Sequence, residues 1–244
     1  MIYKFSKRFI DVVISTMVLI ILSPLFILII ILLKLTGEHE VFFMQKRMGY
    51  KNKPFYIWKF ATMLKNSANI GTGVITMKND ARVTKLGKLL RLSKINELPQ
   101  IINVLKGEMS IVGPRPLMEV SFDLYSDEIK YSIYNCKPGI TGVGSLVFRN
   151  EEEIVSKAKD PASMYADIYP YKGKLELWYQ RNASVTTDCS LIFITAWAVV
   201  FPESKLICKI FPDIPMSHTS SFGNNASREE KYWISRMPSA TVQV

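Results

Sequence analysis

"VVISTMVLIILSPLFILIIILL", residues 12–33, runs for 22 residues without a charge. A helix needs about 20 apolar residues to cross a bilayer core, so this run is long enough to enter lipid. It is too long for a secretory signal, and no small-residue cleavage site follows it. Ser23-Pro24 lies near its middle. Proline removes one helical hydrogen bond and collides with the preceding turn, and an adjacent serine can satisfy the freed backbone. Either half alone would measure roughly 15 to 18 Å, short of a core about 30 Å thick. Both flanks are basic, with Lys4, Lys7 and Arg8 before the run and Lys34 and Lys46-Arg47 after it. Positive flanks mark the cytoplasmic side. A re-entrant helix-break-helix hairpin suits these flanks, with a kinked spanning helix as the alternative.

The rest of the chain bounds the class. Its 244 residues make one domain of ordinary size with extras. The hydrophobic fraction of 48% is inflated by the apolar run. A net charge of +10 favours anionic partners such as headgroups, nucleotides or nucleic acid. No helix-turn-helix, RRM-like or finger pattern appears, which argues against nucleic acid. Cys136, Cys189 and Cys208 form no CxxC pair, as in a protein of a reducing cytoplasm. His39 and His218 fit no metal pattern. The organisation read from composition is a membrane anchor over 1–36, a cytoplasmic domain over 37–212 and a weakly ordered polar tail over 213–244.

Residues 41–60 read as two strands around a turn at Gly49 to Pro54. "KNSANIGTG" (65–73) is a loop by composition. "VTKLGKLLRLS" has helical spacing, with Leu86, Leu89 and Leu90 on one face and basic residues on the other. Such a helix lies at a headgroup surface or presents an ordinary solvated face. Pro99 fits the first turn of a helix that Gly107 ends, and "MSIVGPRP" is a short buried strand leading into a rigid turn. "LIFITAWAVVF" (191–201) is too short to span and reads as a core or interfacial helix. The fold class is α/β: a small sheet from residues 41–60 and the 110s, with amphipathic interfacial helices and the re-entrant anchor.

Residues 91–116, "RLSKINELPQIINVLKGEMSIVGPRP", have the composition of an anion site. A helix starting near Asn96 or Glu97 would aim free N–H groups and its positive dipole end at a ligand. Arg91 precedes it, and Arg115 is held between two prolines. Guanidinium groups bind phosphate in a bidentate way. Glu97 suits Mg²⁺, which usually takes one or two carboxylates plus substrate phosphates. The purely structural alternative has Asn96 capping the helix, Glu97 favouring its dipole and the arginines in surface salt bridges.

The order "KRFIDVVIS…SPLF", "KFATM", "DARVTKLGKLLR", "NELPQIINVLKGEMSIVGPRP" and "KPGITG" resembles the bacterial sugar transferases. More closely, it resembles the monotopic polyprenyl-phosphate phosphoglycosyl transferases, from about residue 3 to about residue 200. The resemblance implies a re-entrant helix broken at Ser23-Pro24. It implies transfer of a sugar phosphate from a nucleoside-diphosphate sugar, here a UDP-sugar, to polyprenyl (undecaprenyl) phosphate, releasing the nucleoside monophosphate. It also implies Mg²⁺ and the cytoplasmic leaflet of a bacterial inner membrane, as the first membrane step of surface glycan biosynthesis. A homodimer is compatible with this reading.

In that family an Asp-Glu dyad opens the "ELPQ" helix: the aspartate attacks the β-phosphate and the glutamate helps hold the metal. Glu97 matches the metal-binding acid, but Asn96 stands at the nucleophile's position. A carboxamide is a poor nucleophile toward phosphorus. Three routes stay open: attack by Glu97, direct displacement by the lipid phosphate, or a catalytically impaired relative that binds membrane or partner proteins. Arg91 and Arg115 match the family's basic residues near the diphosphate. Lys59 matches the "KF" lysine, while Ala61 stands where a basic residue is usual. Asp80 and Arg82 match a family pair with a substrate-binding or structural role, and Arg149 matches an arginine after "TG". Before it, "VGSLVF" departs from the family's polar stretch.

Overall fold

The computed structural model describes residues 2–36, 38–65, 67, 80–151, 155, 158, 160–202 and 204–215. The loop at 65–73, apart from Lys65 and Ser67, and the tail beyond Pro215, with His218, lie outside the described residues. The chain divides into two compact units, Met1–Ile111 and Val112–Val244. Helices and two small sheets make it a mixed α/β protein with an apolar N-terminal helix.

The first unit opens with α1, Ile2–Leu35, a helix of 34 residues that continues through Pro24. Ser23 Oγ donates to Ile20 O at 2.8 Å, one turn before the proline. One face of α1 packs inward. Its C-terminal half contributes Phe26, Ile29 and Leu33 to a core completed by Val41, Phe60 and Leu90. Its N-terminal half is held by polar contacts instead. Arg8 donates to the carbonyls of Val104 and Leu105 at 2.6 and 2.7 Å, and buried Asp11 accepts from Ser110 Oγ and Ile111 N at 3.0 and 2.9 Å. The opposite face is apolar and exposed, as at Phe5, Phe9, Met17, Ile20 and Ile27.

Next comes the expected hairpin. β1 (Phe42–Met48) pairs antiparallel with β2 (Pro54–Phe60), with Phe42 opposite Phe60 and Met48 opposite Pro54. A 3-10 turn at Tyr50–Asn52 joins them. Phe60 meets Phe26 and Phe42 at ring distances of 5.4 and 5.6 Å, which locks the hairpin to α1. α2 (Lys85–Leu92) begins at Thr84, whose hydroxyl accepts from Gly87 N at 3.0 Å. Gly87 is required there, because a Cβ would stand 2.1 Å from Thr62 O. Leu90 is buried and Leu86 packs on the core, but Leu89 is 63% exposed. Of the expected three-leucine face, two members therefore pack inward and Leu89 is exposed. α3 (Gln100–Lys106) ends at Gly107, whose φ of 83° suits a residue without a side chain.

The expected strand of the 110s forms as β3 (Ser110–Val112), where the first unit passes into the second along the chain, but it pairs with β4 (Gly139–Thr141) in a separate sheet. The single sheet anticipated from the sequence is thus two two-stranded sheets. The pairing is unusually close: Gly113 N donates to Thr141 O at 2.9 Å, and a Cβ on Gly139 would meet Gly113 N at 2.1 Å. α4 (Glu119–Phe122), α5 (Asp127–Ile133), α6 (Val143–Val147), α7 (Pro161–Arg181), α8 (Val185–Val200) and α9 (Leu206–Ile210) surround it. Buried Tyr179 of α7 donates to Asp188 of α8 at 2.7 Å. Phe193, Trp197, Val199 and Val200 leave an apolar side of α8 exposed, as the interfacial reading of 191–201 requires. The chain stays packed as far as Pro215: Trp178 Nε1 donates to Asp213 at 3.0 Å and Tyr171 OH to Pro215 O at 3.0 Å.

Candidate active site

Lys94 adopts a left-handed conformation, φ 59°, and turns the chain out of α2 into a 3-10 turn at Ile95–Glu97. Ile95 and Leu98 pack against the hydrophobic core, which fixes the turn from below. Asn96 is 8% exposed and its Oδ1 is buried with no hydrogen-bond partner. Glu97, next in sequence, is half-buried and faces Lys59 of β2, with Nζ to Oε1 at 3.2 Å. Asn103 creates that encounter. Its Oδ1 accepts from Trp58 N at 3.0 Å, and its Nδ2 donates to Tyr56 O and Glu108 Oε2, each at 2.7 Å. α3 is thereby docked on the edge of β2, and Lys59 comes against the turn that precedes α3.

The helix-end anion cradle expected at Asn96 is corrected. The helix starts only at Gln100, with Pro99 as its cap and no side-chain cap bond. The preceding N–H groups of Glu97 and Leu98 are consumed by the carbonyls of Lys94 and Ile95 at 3.1 and 3.0 Å. Tight turn bonds of this kind use the donors that a ligand would otherwise take. The capping role for Asn96 falls with it.

The remaining residues separate by environment. Arg91 sits half-buried in the last turn of α2, and its carbonyl accepts from Lys94 N at 3.1 Å. Asp80 and Arg82 grip one another, with Nε to Oδ1 at 2.9 Å and Nη2 to Oδ2 at 2.6 Å, while Nη1 donates to Ser67 O at 2.9 Å. A buried guanidinium engaged on three nitrogens is a structural clamp, which favours the structural role for this pair. Arg115 and Arg149 belong to the second unit. Arg115 is half-buried between Pro114 and Pro116, and Tyr134 OH donates to its carbonyl at 2.8 Å. Arg149 follows α6, where partial burial lowers its guanidinium pKa from the ordinary value. Lys59 and Glu97 are thus a pair of expected site residues that the first unit joins while leaving both partly exposed.

Glu97 also bears on the metal. Among the described residues, no three His, Cys, Asp or Glu side chains gather into a self-contained cage. A lone, partly exposed carboxylate fits Mg²⁺ that draws its other ligands from phosphate and water.

Several residues that organise the two units were not singled out from the sequence. Arg8 and Asp11 stand at the edge of the apolar run, where a charged residue facing a domain rather than lipid is a legible signal. Asn103 and Glu176 lie inside ordinary helical stretches and carry no comparable signal.

The sequence profile described as Bacterial sugar transferase matches residues 2–202. The chain belongs to that family. It is 35% identical over 78% of its length to UDP-glucose:undecaprenyl-phosphate glucose-1-phosphate transferase of Klebsiella pneumoniae, covering 39% of that protein. It is also 35% identical over 80% of its length to an Aeromonas hydrophila protein, covering 43% of it. That protein is UDP-N-acetylgalactosamine-undecaprenyl-phosphate N-acetylgalactosaminephosphotransferase. The exopolysaccharide production protein ExoY of Sinorhizobium fredii is 31% identical, with 80% of this chain aligned to 85% of it. The chain thus spans about two fifths of the first two relatives and most of the third. Membership confirms the resemblance drawn from the motifs at the level of the family.

Proposed function

We propose that this sugar transferase moves a sugar phosphate from a UDP-sugar to undecaprenyl phosphate and releases UMP. The observation that carries this reading is the partly exposed Lys59–Glu97 pair beside Asn96, in a chain that the sugar-transferase profile matches over residues 2–202. In the proposed reaction, an oxygen of the lipid phosphate attacks the β-phosphorus of the nucleotide sugar. The bond from that phosphorus to the bridging oxygen breaks, and UMP leaves with the electron pair. Asn96 does not form a covalent intermediate, because its carboxamide lacks a nucleophilic anion. Glu97 is disfavoured as a replacement nucleophile, because Lys59 draws on the lone pairs of its carboxylate. Positioning and charge neutralisation then carry the step. Lys59 and Arg91 supply cationic groups in the first unit, while Arg115 and Arg149 are assigned to the diphosphate on the family motifs alone. Glu97 would hold Mg²⁺, which when bound neutralises charge on the diphosphate.

The anchor over residues 1–36 enters and leaves the cytoplasmic leaflet of the inner membrane on one side, with Ser23-Pro24 as its turning point in the bilayer although α1 is one continuous helix here, and residues 37–212 carry the chemistry. Two features support this topology. Arg8 and Leu33, near opposite ends of α1, are both fastened within the same unit. Between them an apolar face is exposed for lipid. In a cysteine-free background, Phe5→Cys and Glu38→Cys are expected to react with an impermeant maleimide from the same side. Labelling from opposite sides would refute the re-entrant topology.

Asn96 favours one second reading, an impaired relative that binds membrane without transferring sugar phosphate. UMP release in detergent, over a panel of UDP-sugars with undecaprenyl phosphate, separates the two. The wild-type chain is expected to turn over at least one of them. No release from wild type, with brisk release from Asn96→Asp, would establish the impaired reading instead.

A further inference from the structure

Inside the second unit, the backbone of one residue is held at both of its polar groups by buried side chains. Tyr134, at the end of α5, donates its hydroxyl to Arg115 O at 2.8 Å and accepts from Leu117 N at 2.9 Å. Glu176, in the middle of α7, accepts the Arg115 backbone N–H. The two helices close on the Arg115 peptide from its C=O and N–H ends, while the flanking prolines restrict its rotation. The guanidinium itself is only half-buried.

Glu176 is an unusual residue for this duty. It is 2% exposed, and its Oε2 has no hydrogen-bond partner. Gly144, in the segment after β4, packs on the carboxyl so closely that a Cβ there would stand 2.4 Å from Oε1. Lys172, one turn before it on α7, faces it but is also bonded to both oxygens of Glu151 at 2.9 Å, so one ammonium serves two acids. Packing alone would be better served by leucine or glutamine, because burying a carboxylate with an orphaned oxygen is costly. The group that gains from the charge is the Arg115 turn.

We propose that Glu176 is a positioning residue for the transfer reaction, fixing the Arg115 peptide so that its guanidinium is presented ready-made to an anionic substrate. This rests on the reading of Arg115 as a contact to the nucleotide-sugar diphosphate. Rigid presentation removes an ordering cost at binding, so the role shows in the affinity for the nucleotide sugar rather than for the lipid. It also makes the grip dependent on pH. Burial pushes the Glu176 carboxyl up to about 7, with Lys172, the Arg115 N–H and the Arg115 charge pulling it back down. Tyr125, whose pKa is raised first by burial and then by this carboxylate, is a further titratable neighbour. Below neutrality the carboxyl is protonated and accepts the Arg115 N–H more weakly.

The test uses the full chain in detergent. Glu176→Gln keeps the shape and removes the charge, and at about pH 8 it is expected to raise KM for the UDP-sugar about tenfold, as loss of a charge-assisted bond does. KM for undecaprenyl phosphate is expected to stay within about twofold, and the variant should flatten the wild-type dependence of UDP-sugar KM on pH. Independently of turnover, amide hydrogen exchange at Arg115, corrected for intrinsic rates, should lose protection in the wild type as pH falls through about 7. That readout needs no variant, so misfolding of Glu176→Gln would leave the proposal exposed to refutation. Tyr134→Phe should speed exchange at Leu117 as well. If the wild type releases no UMP while Arg115 protection follows pH as stated, the transfer reading fails and the clamp stands. Unchanged Arg115 protection across that range, or an unchanged UDP-sugar KM in a folded Glu176→Gln, would overturn the proposal.

Discussion

Asp11 in the first unit and Glu176 in the second are both buried acids, 4% and 2% exposed, yet they are stabilised by different means. Asp11 ties α1 to the chain entering β3 through two hydrogen bonds to a single oxygen. Glu176 has the Arg115 N–H and a shared lysine, while its second oxygen has no partner. A buried acid surrounded by donors acts as a structural tie. A buried acid with too few donors is under electrostatic tension, and in this chain that tension lies behind a cationic loop.

The largest expected effect comes from removing the tie. Asp11→Ala leaves Ser110 Oγ and Ile111 N without their acceptor and should cost roughly 3 to 5 kcal/mol of unfolding free energy, read by chemical denaturation in detergent. A loss below about 1 kcal/mol would mean that Asp11 is no better placed than an exposed carboxylate.

Glu176→Gln is expected to act in the opposite direction. Its folded pKa, about 7, lies well above that of an ordinary glutamate. The folded state therefore holds a proton that the unfolded chain has lost across that window, and the stability this provides declines as pH rises through it. At about pH 8 the wild type carries the full burden of a buried anion, on the order of 3 kcal/mol. The glutamine variant should therefore melt higher at about pH 8, and the gap should close toward about pH 4.5. A stability gain with a loss of substrate affinity is the usual relation between an active site and its fold.

How much of this was legible beforehand follows from the kind of signal involved. The hairpin, α2 and α3 were readable because Gly49, Gly107 and the prolines punctuate regular apolar spacing. The 3-10 turn at Ile95–Glu97 was not, because Pro99 suits both a helix start and the cap that follows a tight turn. The period placed Leu86, Leu89 and Leu90 on one face, but it could not say that Leu90 is buried while Leu89 is exposed. The chemistry of Asn96 and Glu97 was visible as residue types, but the approach of Lys59 depends on Asn103, 44 residues further along the chain. Long-range hydrogen bonds of that sort leave no periodic trace.

Smaller effects sharpen the contrast between the two acids. Tyr134→Phe removes one hydroxyl from the Arg115 clamp and should cost about 1 kcal/mol in thermal unfolding. It is also expected to raise the UDP-sugar KM severalfold. Glu97, half-buried and paired with Lys59, lies between the two cases. Lys59→Met takes that partner from a largely buried carboxylate, so it should cost about 1 to 3 kcal/mol while sharply reducing UMP release. A variant that melts much lower would assign that pair to the fold rather than to the site.

The central claim is that a chain with Asn96 at the position of the attacking acid transfers sugar phosphate directly to the lipid. Intact-protein mass spectrometry during turnover tests it most directly. The predicted result is formation of the lipid-linked sugar diphosphate with the wild-type protein mass unchanged throughout. A phosphosugar adduct on Asn96 or Glu97, or no lipid product from any UDP-sugar, would contradict it.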